Sequence, residues 1–427
     1  MKTLELQPFQ SPVDAEVVVP GSKSFTNRAL LIAALGEGRT TIDRALFSDD
    51  THYMAESLKR LGIEVDADPE NQRFVVNGCG GKIPVDRAEL YTGNSGTTAR
   101  FLTAFLGLGK GEYVVDGNER MRERPIQDLI DGLTPLGVEI TSRNGDGCPP
   151  ITIRANGLTG GRTFMPGDKS SQYFTALMLA APYAGANTEI RVEGDLLSKP
   201  YIDITTDIMS RFGVEVNNDS YNTFRIQSGQ RYSSLDYVVE PDATNATYFF
   251  AAAAITGGRI KVRHLSLSSA QGDVKFVNVL ESMGCRVSES SDGIVVEGPE
   301  QLSGIDVDMN DMPDAAQTLA AIAPFADAPV TIRNVPNMRI KETDRIDAMA
   351  TELGRLGVTV EAWEDGMRIH PNASIIPAAV DTYDDHRMAM SLSLIGLRAP
   401  GVVINDPECV NKTFPTFFDT LASIQPE

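Results

Sequence analysis

Two patterns of hydrophobic and polar positions alternate along the chain. The first is an alanine-rich apolar run with no polar face, followed by a small turn and a short strand-like segment, as in RALLIAALGEGRTTI at residues 28–42. A helix that is apolar nearly all round must be buried, so each run predicts an internal helix and a following strand. Runs of this kind begin near residues 28, 100, 173, 248, 318 and 388.

The second pattern is LKRLGIEV and its relatives, which read as a helix end, a glycine and a strand. The glycine recurs about every 70 residues, at Gly62, Gly137, Gly213, Gly284 and Gly357. Glycine just past a helix end is typical of a left-handed cap. Together the two patterns predict six copies of one α/β unit. A solenoid is disfavoured, because the internal helices must bury against one another and three per bundle is a compact arrangement.

The last copy ends in TFPTFFDTLASIQPE, which supplies a second helix but no strand after it. The segments TLELQPFQ and AEVVVP near the start of the chain can supply the missing strands. We therefore predict two similar α/β domains of three units each. The N-terminal domain comprises residues 21–240, and the C-terminal domain comprises residues 1–20 and 241–427.

Polar residues cluster at the starts of the internal helices, where packing does not require them. The capping residues predicted at these starts are Ser24, Ser95, Ser170, Asn245, Asp314 and Asp385. Free backbone N–H groups and the helix dipole suit such starts to phosphates and carboxylates. Lys23 lies at the first start, where the dipole disfavours a cation, so an anionic ligand is expected there. If the starts in each domain point the same way, they line a cleft between the domains.

The charge of the chain indicates a small ligand. Its formal net charge is −20 and 42% of its residues are hydrophobic, which argues against binding of nucleic acid or of an anionic membrane surface. No apolar run is long enough for a transmembrane helix. Arginine and lysine nevertheless concentrate in a few segments. Arg124, Arg345 and Lys412 lie in three such segments, NERMRERPI, NMRIKETDRI and CVNKTFP, which suggests a small polyanion as the ligand.

Other motifs point away from metal or nucleotide chemistry. The four cysteines are far apart and form no CxxC pair, which predicts a reducing cytoplasm, as does the lack of a signal sequence. The four histidines have no metal-ligand spacing, and GSKS lacks the spacing of a phosphate loop. A single serine or aspartate at a helix start is usually only a cap. Recurrence at equivalent places in all six units favours a ligand site.

A series of motifs resembles the 5-enolpyruvylshikimate-3-phosphate synthase family over essentially the whole chain. In order they are PGSKSFTNRALLIAAL, YTGNSGTTAR, RMRERPIQDLIDGL, GDKSSQYFTALMLAAP, GDLLSKPYIDIT, MPDAAQTLAAIA, RIKETDRIDAMATEL, DDHRMAMSLSL and NKTFPTFF. The resemblance implies an inside-out α/β barrel of two domains, each with three βαβαββ units, and a cleft between them. It also implies transfer of the enolpyruvyl group of phosphoenolpyruvate to the 5-hydroxyl of shikimate 3-phosphate. Neither a metal nor a cofactor is implied.

The resemblance also implies roles for individual residues. Asp314 is the expected base on the 5-hydroxyl, Glu342 the expected proton donor to carbon 3, and Lys341 a catalytic neighbour of both. The residues expected to bind shikimate 3-phosphate are Lys23, Ser24, Arg28, Ser170, Ser171, Gln172, Ser198, Tyr201, Asp314, Asn337 and Lys341. Those expected to bind phosphoenolpyruvate are Lys23, Asn94, Gly96, Arg124, Gln172, Arg345, Arg387 and Lys412. Four of these cations, Arg124, Arg345, Arg387 and Lys412, are expected to converge on this one anion and to lack partners in an empty site. A monomer is expected, with glyphosate as a candidate inhibitor.

The chain departs from the common family pattern at three places. Phe101 stands where proline is frequent, Thr244-Asn245 replaces Ser-Ser, and Asp168-Lys169 replaces small residues. Phe101 bears on how tightly the phosphoenolpyruvate pocket closes around glyphosate. One alternative is the sibling enzyme that acts on a UDP-amino sugar, which typically has a cysteine in the loop that here reads DGNERMRERPI. The other is a non-catalytic protein that binds anions or RNA ends, which is expected to lack the acid and the base.

Overall fold

The fold is built around the buried alanine-rich helices. A computed structural model describes residues 2–372 and 374–426. The chain divides into two compact units. The first unit is Gly21–Val239, and the second unit is Met1–Pro20 together with Glu240–Glu427. These two names are kept below.

The strands of the described residues are, in chain order, β1 Thr3–Glu5, β2 Asp14–Val17, β3 Glu37–Asp43, β4 Glu64–Asp68, β5 Arg73–Cys79, β6 Arg87–Tyr91, β7 Lys110–Asp116, β8 Glu139–Ser142, β9 Ile151–Asn156, β10 Gly161–Pro166, β11 Thr188–Glu193, β12 Val216–Asp219, β13 Thr223–Ile226, β14 Asp236–Val238, β15 Arg259–Arg263, β16 Arg286–Ser290, β17 Gly293–Glu297, β18 Asp306–Asp308, β19 Val330–Arg333, β20 Val360–Trp363, β21 Gly366–Ile369, β22 Ala378–Val380 and β23 Val402–Asn405.

The helices of the same residues are α1 Lys23–Leu35, α2 Asp49–Arg60, α3 Gly96–Leu106, α4 Gln127–Leu133, α5 Ser171–Ala180, α6 Pro200–Arg211, α7 Ala243–Thr256, α8 Phe276–Ser282, α9 Ala316–Ile322, α10 Arg345–Arg355, α11 His386–Gly396 and α12 Phe417–Ser423. Among the described residues, no helix has both the length and the apolar character needed to cross a membrane.

The strands of the described residues form six small sheets with one recurring plan. In the sheet β6-β7-β9-β8, β6 and β7 are parallel, while β9 is antiparallel to both β7 and β8. Parallel neighbours need a crossover, which the internal helix α3 provides, and the antiparallel strands β8 and β9 follow the second helix. This is the βαβαββ order that was predicted.

Three strands pair outside the local order of the chain. β2 precedes α1 but pairs in parallel with β15 of the second unit, whereas β14 precedes α7 but pairs in parallel with β3 of the first unit. β1 pairs antiparallel with β23 and completes the three-stranded sheet β1-β23-β22. The N-terminal segment therefore contributes strands to two sheets of the second unit.

The internal helices pack in two groups of three. α1, α3 and α5 contact one another in the first unit, and α7, α9 and α11 do so in the second. Every residue of α3 is buried, as is every residue of α7 from Ala243 to Ile255. The prediction of internal helices is confirmed. Because packing fixes these helices over their whole length, polar side chains in their first turns are held in defined positions.

The predicted helix ends are confirmed in part. Gly62 and Gly284 follow the second helix of their units with φ angles of 81° and 103°, which a residue with a Cβ rarely adopts. The serines before α3 and α5 and the aspartate before α11 each cap their helix through the side chain, as predicted.

The capping predictions for α1, α7 and α9 are wrong. Ser24, Asn245 and Asp314 do not cap these helices, whose N-cap residues are Ser22, Asp242 and Ala315. The difference has a clear cause at Asp314, which lies inside a 3-10 turn that begins at Pro313. Proline is suited to the first position of such a turn. The Asp314 carboxylate is consequently available for other contacts.

We expect Gly284→Ala to lower the free energy of unfolding by about 1–2 kcal/mol, because φ at this position is 103°. The new Cβ would lie 3.6 Å from the ring of Pro299, an ordinary contact, so the loss is conformational. The matched control is Gly354→Ala in α10, where a Cβ would meet nothing within 4 Å. It should gain about 0.5–1 kcal/mol. Calorimetric unfolding measures the free energy of unfolding of both variants. An equal gain in stability in the two variants would contradict the explanation by the φ angle of Gly284.

Candidate active site

The second unit contains a buried guanidinium surrounded by carboxylates. Arg345 is the first residue of α10, and its side chain is only 1% exposed. Its Nε and Nη2 donate to the two carboxylate oxygens of Asp385 over 2.7 and 3.2 Å. Nη1 donates to Asp314 and Nη2 also donates to Glu342, each over 3.0 Å. Residues from three separate segments are thereby brought to one point.

The electrostatics of Arg345 follow from this geometry. Burial opposes its positive charge, but the carboxylates of Asp385, Glu342 and Asp314 more than compensate and raise the pKa of Arg345 above its usual range. The guanidinium is therefore always charged. Removing one member of a buried pair of this kind typically costs about 3–5 kcal/mol, because the other charge is left buried without its partner.

Asp314, the predicted base, contacts cations through both of its oxygens. Oδ1 accepts from Arg345 and lies 3.6 Å from Nζ of Lys341. Oδ2 accepts from Nη2 of Arg387 over 3.0 Å, and Nη1 of Arg387 contacts the hydroxyl of Tyr248 at 3.4 Å. The Asp314 side chain is 13% exposed, so it is largely shielded from solvent but still accessible.

Glu342, the predicted proton donor, lies in the same network. Its Oε2 accepts from Arg345 and its Oε1 accepts from Nζ of Lys412 over 2.7 Å. The side chains of Glu342 and Lys412 are 7% and 9% exposed. The structure therefore brings together six of the residues predicted from sequence: Asp314, Lys341, Glu342, Arg345, Arg387 and Lys412.

One expectation about this cluster is wrong. The cations were predicted to lack partners in an empty site, yet Arg345, Arg387 and Lys412 each bind a carboxylate. The sequence placed cations and acids in the same short segments, but it did not show that they pair. The physical reason is burial, since cations held away from water need counter-charges of their own.

Asn337 is 5% exposed and lies on the 3-10 turn Pro336–Ile340. Lys341 follows directly after this turn. Arg339 on the same turn is bound away from the cluster. It donates to Asp344 over 2.7 Å and to the main-chain carbonyl of Trp363 over 2.6 Å. Arg339 therefore fixes the segment that carries Asn337 and Lys341 instead of contributing charge to the site.

The first unit holds the remaining predicted residues. Lys23 is the first residue of α1, and its Nζ lies 3.6 Å from the carboxylate of Asp50 in the first turn of α2. Both side chains are largely buried, at 13% and 3% exposed. Lys23 is thus a cation at a helix start, held there by an acid that the sequence analysis did not single out.

Arg28, one turn further along α1, binds groups of the protein itself. It donates to the hydroxyl of Thr205 over 2.9 Å and to the main-chain carbonyls of Ser24 and Tyr201 over 2.8 and 3.1 Å. Burial lowers the pKa of this guanidinium to about 9, which leaves it charged at neutral pH. Arg28 connects the predicted residues Ser24 and Tyr201 through their backbones.

Arg124 is held against the start of α3. Its Nη1 donates to both the main-chain carbonyl and the side-chain oxygen of Asn94, over 3.0 and 3.1 Å. A Cβ at Gly96 would lie 2.6 Å from Nη2 of Arg124, so a larger residue at position 96 would displace the guanidinium from its present position. The structure thereby brings Arg124 to Asn94 and Gly96, which lie about 30 residues earlier in the sequence.

The start of α5 presents a row of polar residues. Ser170 is the N-cap, and its hydroxyl accepts from the backbone N–H of Gln172 over 3.3 Å. The carbonyl oxygen of the Gln172 side chain accepts from Arg100 over 2.7 Å. Ser171 is buried, and Ser198, before α6, has a φ of 56°. A short polar surface therefore links α3 and α5.

These arrangements can be compared with known proteins. A family model described as EPSP synthase (3-phosphoshikimate 1-carboxyvinyltransferase) matches residues 9–421. The 3-phosphoshikimate 1-carboxyvinyltransferase of Trichormus variabilis is 51% identical over 418 residues, which are 98% of each chain. The enzyme of the same name from Shewanella denitrificans is 48% identical over 429 aligned residues, covering 100% of both chains. This chain belongs to the EPSP synthase family.

A solved EPSP synthase from Acinetobacter baumannii has the same fold. Its TM-score with this chain is 0.83 at 24% sequence identity, and the match covers 100% of this chain and 98% of that chain. The family resemblance and the predicted fold class are both confirmed. Relatives that match over their whole length carry the EPSP synthase name, so neither the UDP-amino-sugar enzyme nor the non-catalytic protein is favoured.

The departures from the common EPSP synthase pattern are accommodated by local contacts. Phe101 is fully buried, and the guanidinium of Arg28 lies 5.3 Å from its ring centroid. Asn245 donates from its side chain to the main-chain carbonyl of Thr413 over 3.4 Å. Lys169 forms an ion pair of 3.0 Å with Asp128. None of these contacts removes a predicted site residue.

Sequence reasoning missed two residues that adjoin this cluster, Tyr248 and Asp273. Tyr248 belongs to an alanine-rich helix and looks like core, and Asp273 looks like an exposed helix start. In the structure Asp273 is 4% exposed and interacts electrostatically with Asp314 and Arg387. No local signal in the sequence separates a buried aspartate from an exposed one.

The buried position of Asp273 leads to a prediction about pH. Burial, followed by the negative charge of Asp314, raises the pKa of the Asp273 carboxyl to about 7. Between about pH 4 and pH 7 the folded protein keeps this proton and the unfolded chain releases it, so the free energy of unfolding falls as pH rises. We expect Asp273→Asn to remove this effect. The gain in the free energy of unfolding, variant minus unsubstituted protein, should be larger at pH 8 than at pH 5. The difference between the two gains should be of order 2 kcal/mol.

Asp292→Asn is the control of opposite sign. The pKa of Asp292 is lowered, mainly by the hydrogen bond from Arg263 over 2.8 Å. Its contribution to stability is present above the ordinary pKa of an aspartate and is lost in acid, so Asp292→Asn should destabilise at pH 8. Denaturant unfolding at both pH values measures each effect. A stabilisation by Asp273→Asn that is the same at pH 5 and pH 8 would refute the shift.

Proposed function

We propose that the network around Arg345 is the acid–base site of an enolpyruvyl transfer from phosphoenolpyruvate to the 5-hydroxyl of shikimate 3-phosphate. The observation that carries the proposal is the placement of Asp314 and Glu342. Both are shielded carboxylates, both bind Arg345, and each has a lysine within 3.6 Å. Membership of the EPSP synthase family supports this reaction.

The reaction requires one acid and one base in a cationic setting. Carbon 3 of phosphoenolpyruvate takes a proton, so that carbon 2 becomes electrophilic. The 5-hydroxyl oxygen then bonds to carbon 2 as a base removes its proton. Loss of a proton from carbon 3 and of phosphate from carbon 2 regenerates the double bond and leaves an enol ether. Phosphate and carboxylate groups need fixed positive charge throughout.

We assign the roles within the second unit from this chemistry. Asp314 takes the proton of the hydroxyl, and Lys341 lies beside the hydroxyl and the tetrahedral adduct. Glu342 gives the proton to carbon 3. The cations that contact these acids can bind either the acids or an anionic substrate, so substrate binding and the charges of Asp314 and Glu342 are coupled.

The substrate contacts divide between the two units. We propose that the first unit mainly holds shikimate 3-phosphate, through Lys23, Ser24, Arg28, Ser170, Ser171, Gln172, Ser198 and Tyr201, while Asn337, Lys341 and Asp314 of the second unit also contact it. For phosphoenolpyruvate we propose Lys23, Asn94, Gly96, Arg124 and Gln172 of the first unit and Arg345, Arg387 and Lys412 of the second. Gly96 supports this proposal because it lets Arg124 approach the backbone at the start of α3.

The remaining parts of the proposal concern partners and compartment. The net charge of −20 argues against nucleic acid and anionic membranes as partners. We propose a monomer, because one chain carries all the assigned residues, and glyphosate as a competitor of phosphoenolpyruvate. The four cysteines are free thiols, which supports a reducing cytoplasm.

The reaction is tested by phosphate release. We expect the purified protein to release phosphate only when both shikimate 3-phosphate and phosphoenolpyruvate are present. Asp314→Asn and Glu342→Gln should each lower kcat by about 10²–10⁴-fold, the usual contribution of a general acid or base. Binding of shikimate 3-phosphate should weaken far less, because the first unit supplies most of its proposed contacts.

Single-turnover measurements decide the assignment of the acid and the base. The control is Asp311→Asn, a variant of an exposed acid near Asp314 that forms a 3.2 Å ion pair with Lys275. It should react at the rate of the unsubstituted protein. Rates within about threefold of that value in both Asp314→Asn and Glu342→Gln would refute the assignment, because an acid or base normally contributes at least 10²-fold.

Arg124→Ala tests the phosphoenolpyruvate contacts. The loss of a charge-assisted hydrogen bond, about 1.5–3 kcal/mol, should weaken phosphoenolpyruvate binding by roughly 10–100-fold. Shikimate 3-phosphate binding should change little. Arg122→Ala is the control, because Arg122 is about half exposed and pairs with Asp116 at 2.6 Å. Calorimetric titration with each substrate separates the cases. Loss of shikimate 3-phosphate binding with phosphoenolpyruvate binding intact would show that the division is wrong.

A further inference from the structure

The segment before α11 is fixed by α10 at two points. α11 carries Arg387 in its first turn, and the preceding residues Asp381 to Asp385 form the approach to it. At one point Arg345 of α10 binds both oxygens of Asp385. At the other, Glu352 of the same helix binds residues 381 and 383, and Arg355 at the end of α10 donates to the carboxylate of Asp381 over 2.6 Å. The first contact belongs to the site described above, whereas the second has no role in it.

The approach to α11 has an unusual backbone. Tyr383 and Asp384 are consecutive and have φ angles of 56° and 52°. Aspartate tolerates this left-handed region, but a bulky residue such as tyrosine rarely adopts it. Two neighbouring residues in this region persist only where surrounding contacts hold them. Glu352 makes two of the contacts that hold this segment, to the backbone N–H of Asp381 and to the hydroxyl of Tyr383.

Glu352 is fully buried and accepts three hydrogen bonds. Its Oε1 accepts from the hydroxyl of Tyr383 over 2.5 Å. Its Oε2 accepts from the backbone N–H of Asp381 over 3.0 Å and from Nη1 of Arg355 over 3.1 Å. Burial and the hydrogen bond to Glu352 raise the pKa of Tyr383 to about 12, so its hydroxyl keeps its proton near neutral pH.

The two attachment points are linked by the geometry of one helix. Arg345 and Glu352 are seven residues apart in α10, which is about 10 Å along the helix axis. Side chains of α10 therefore bind both ends of the turn that leads to α11, at Asp381 and at Asp385. Asp385, the residue at the near end, also accepts from the backbone N–H of Arg387 over 2.9 Å. The position of Arg387 thus depends on a turn that is held at both ends.

We propose that Glu352 and Tyr383 are positioning residues, which hold the turn before α11 so that Arg387, at the helix start that Asp385 caps, faces the anionic substrate. This inference rests on the proposed role of Arg387 in phosphoenolpyruvate binding. Neither residue touches a reacting atom. They act through the backbone of residues 381–385 and through the Asp385 cap.

Tyr383→Phe is the principal test, because it removes only the hydroxyl of a residue that is 41% exposed. We expect this variant to fold. We expect KM for phosphoenolpyruvate to rise about tenfold, while KM for shikimate 3-phosphate stays within twofold. Glu352→Gln should act in the same direction. An unchanged KM for phosphoenolpyruvate in Tyr383→Phe would overturn the inference, even if Glu352→Gln fails to fold.

Tyr221→Phe is a closely matched control. Tyr221 also has a left-handed φ, 60°, and its hydroxyl donates to the carboxylate of Asp203 over 2.7 Å, but it lies in the first unit. We expect this variant to keep both KM values. An equal rise of KM for phosphoenolpyruvate in Tyr221→Phe and Tyr383→Phe would show a general loss of order and would refute a specific positioning role.

A double substitution separates positioning from simple stabilisation. Arg387→Lys alone should raise KM for phosphoenolpyruvate, and adding Tyr383→Phe should raise it by less than twofold more, because the residue being positioned has already been changed. Full additivity of the two effects would refute the inference. If Arg387→Lys alone leaves KM unchanged, the proposed role of Arg387 fails. If it raises KM and Tyr383→Phe does not, only the positioning role fails.

Discussion

The need to neutralise one buried guanidinium organises the second unit. Arg345 is almost completely buried, and its charge is balanced by Asp385, Asp314 and Glu342. These acids lie at the start of α11, in the turn before α9 and in the segment before α10, so one side chain ties three separate segments together. A buried cation without such partners would be very costly. Of the internal helices of this unit, α9 and α11 are therefore tied to α10 through the acids at or just before their starts.

The same contacts fix the cations that we propose bind an anionic substrate. Arg387 and Lys412 are held by Asp314 and Glu342, so contacts within the protein define where these two cations lie. A substrate with phosphate and carboxylate groups has to compete with these internal acids. The competition reduces net affinity, but it avoids the entropic cost of ordering long side chains at the moment of binding. It also makes the charge state of the acids depend on the bound substrate, which suits groups proposed to exchange protons.

Six repeats of one α/β unit provide equivalent places with different chemistry. In the first unit the starts of α3 and α5 present glycine, serine and amide side chains, and Arg124 approaches through the space left by Gly96. In the second unit the corresponding starts present Asp314 and Asp385. The buried helices fix where these residues lie, because packing along their whole length leaves them little freedom. The residue types alone then distinguish a surface suited to binding anions from one suited to proton transfer.

The sequence by itself determined the repeat, the buried helices, the glycine caps and the family, because each of these is written in local periodicity or in contiguous motifs. It also grouped the acids and cations of the site, since KETDR and DDHR are short segments. Only the tertiary structure decided that Arg345, Arg387 and Lys412 pair with acids, that Asp314 is released from capping, and that Glu352 holds Tyr383. Arg387 and Asp314 are far apart along the chain, as are Lys412 and Glu342. Such pairs form between residues that only the fold brings together. Burial strengthens the attraction between their charges, and no local sequence pattern encodes the burial of a charged residue.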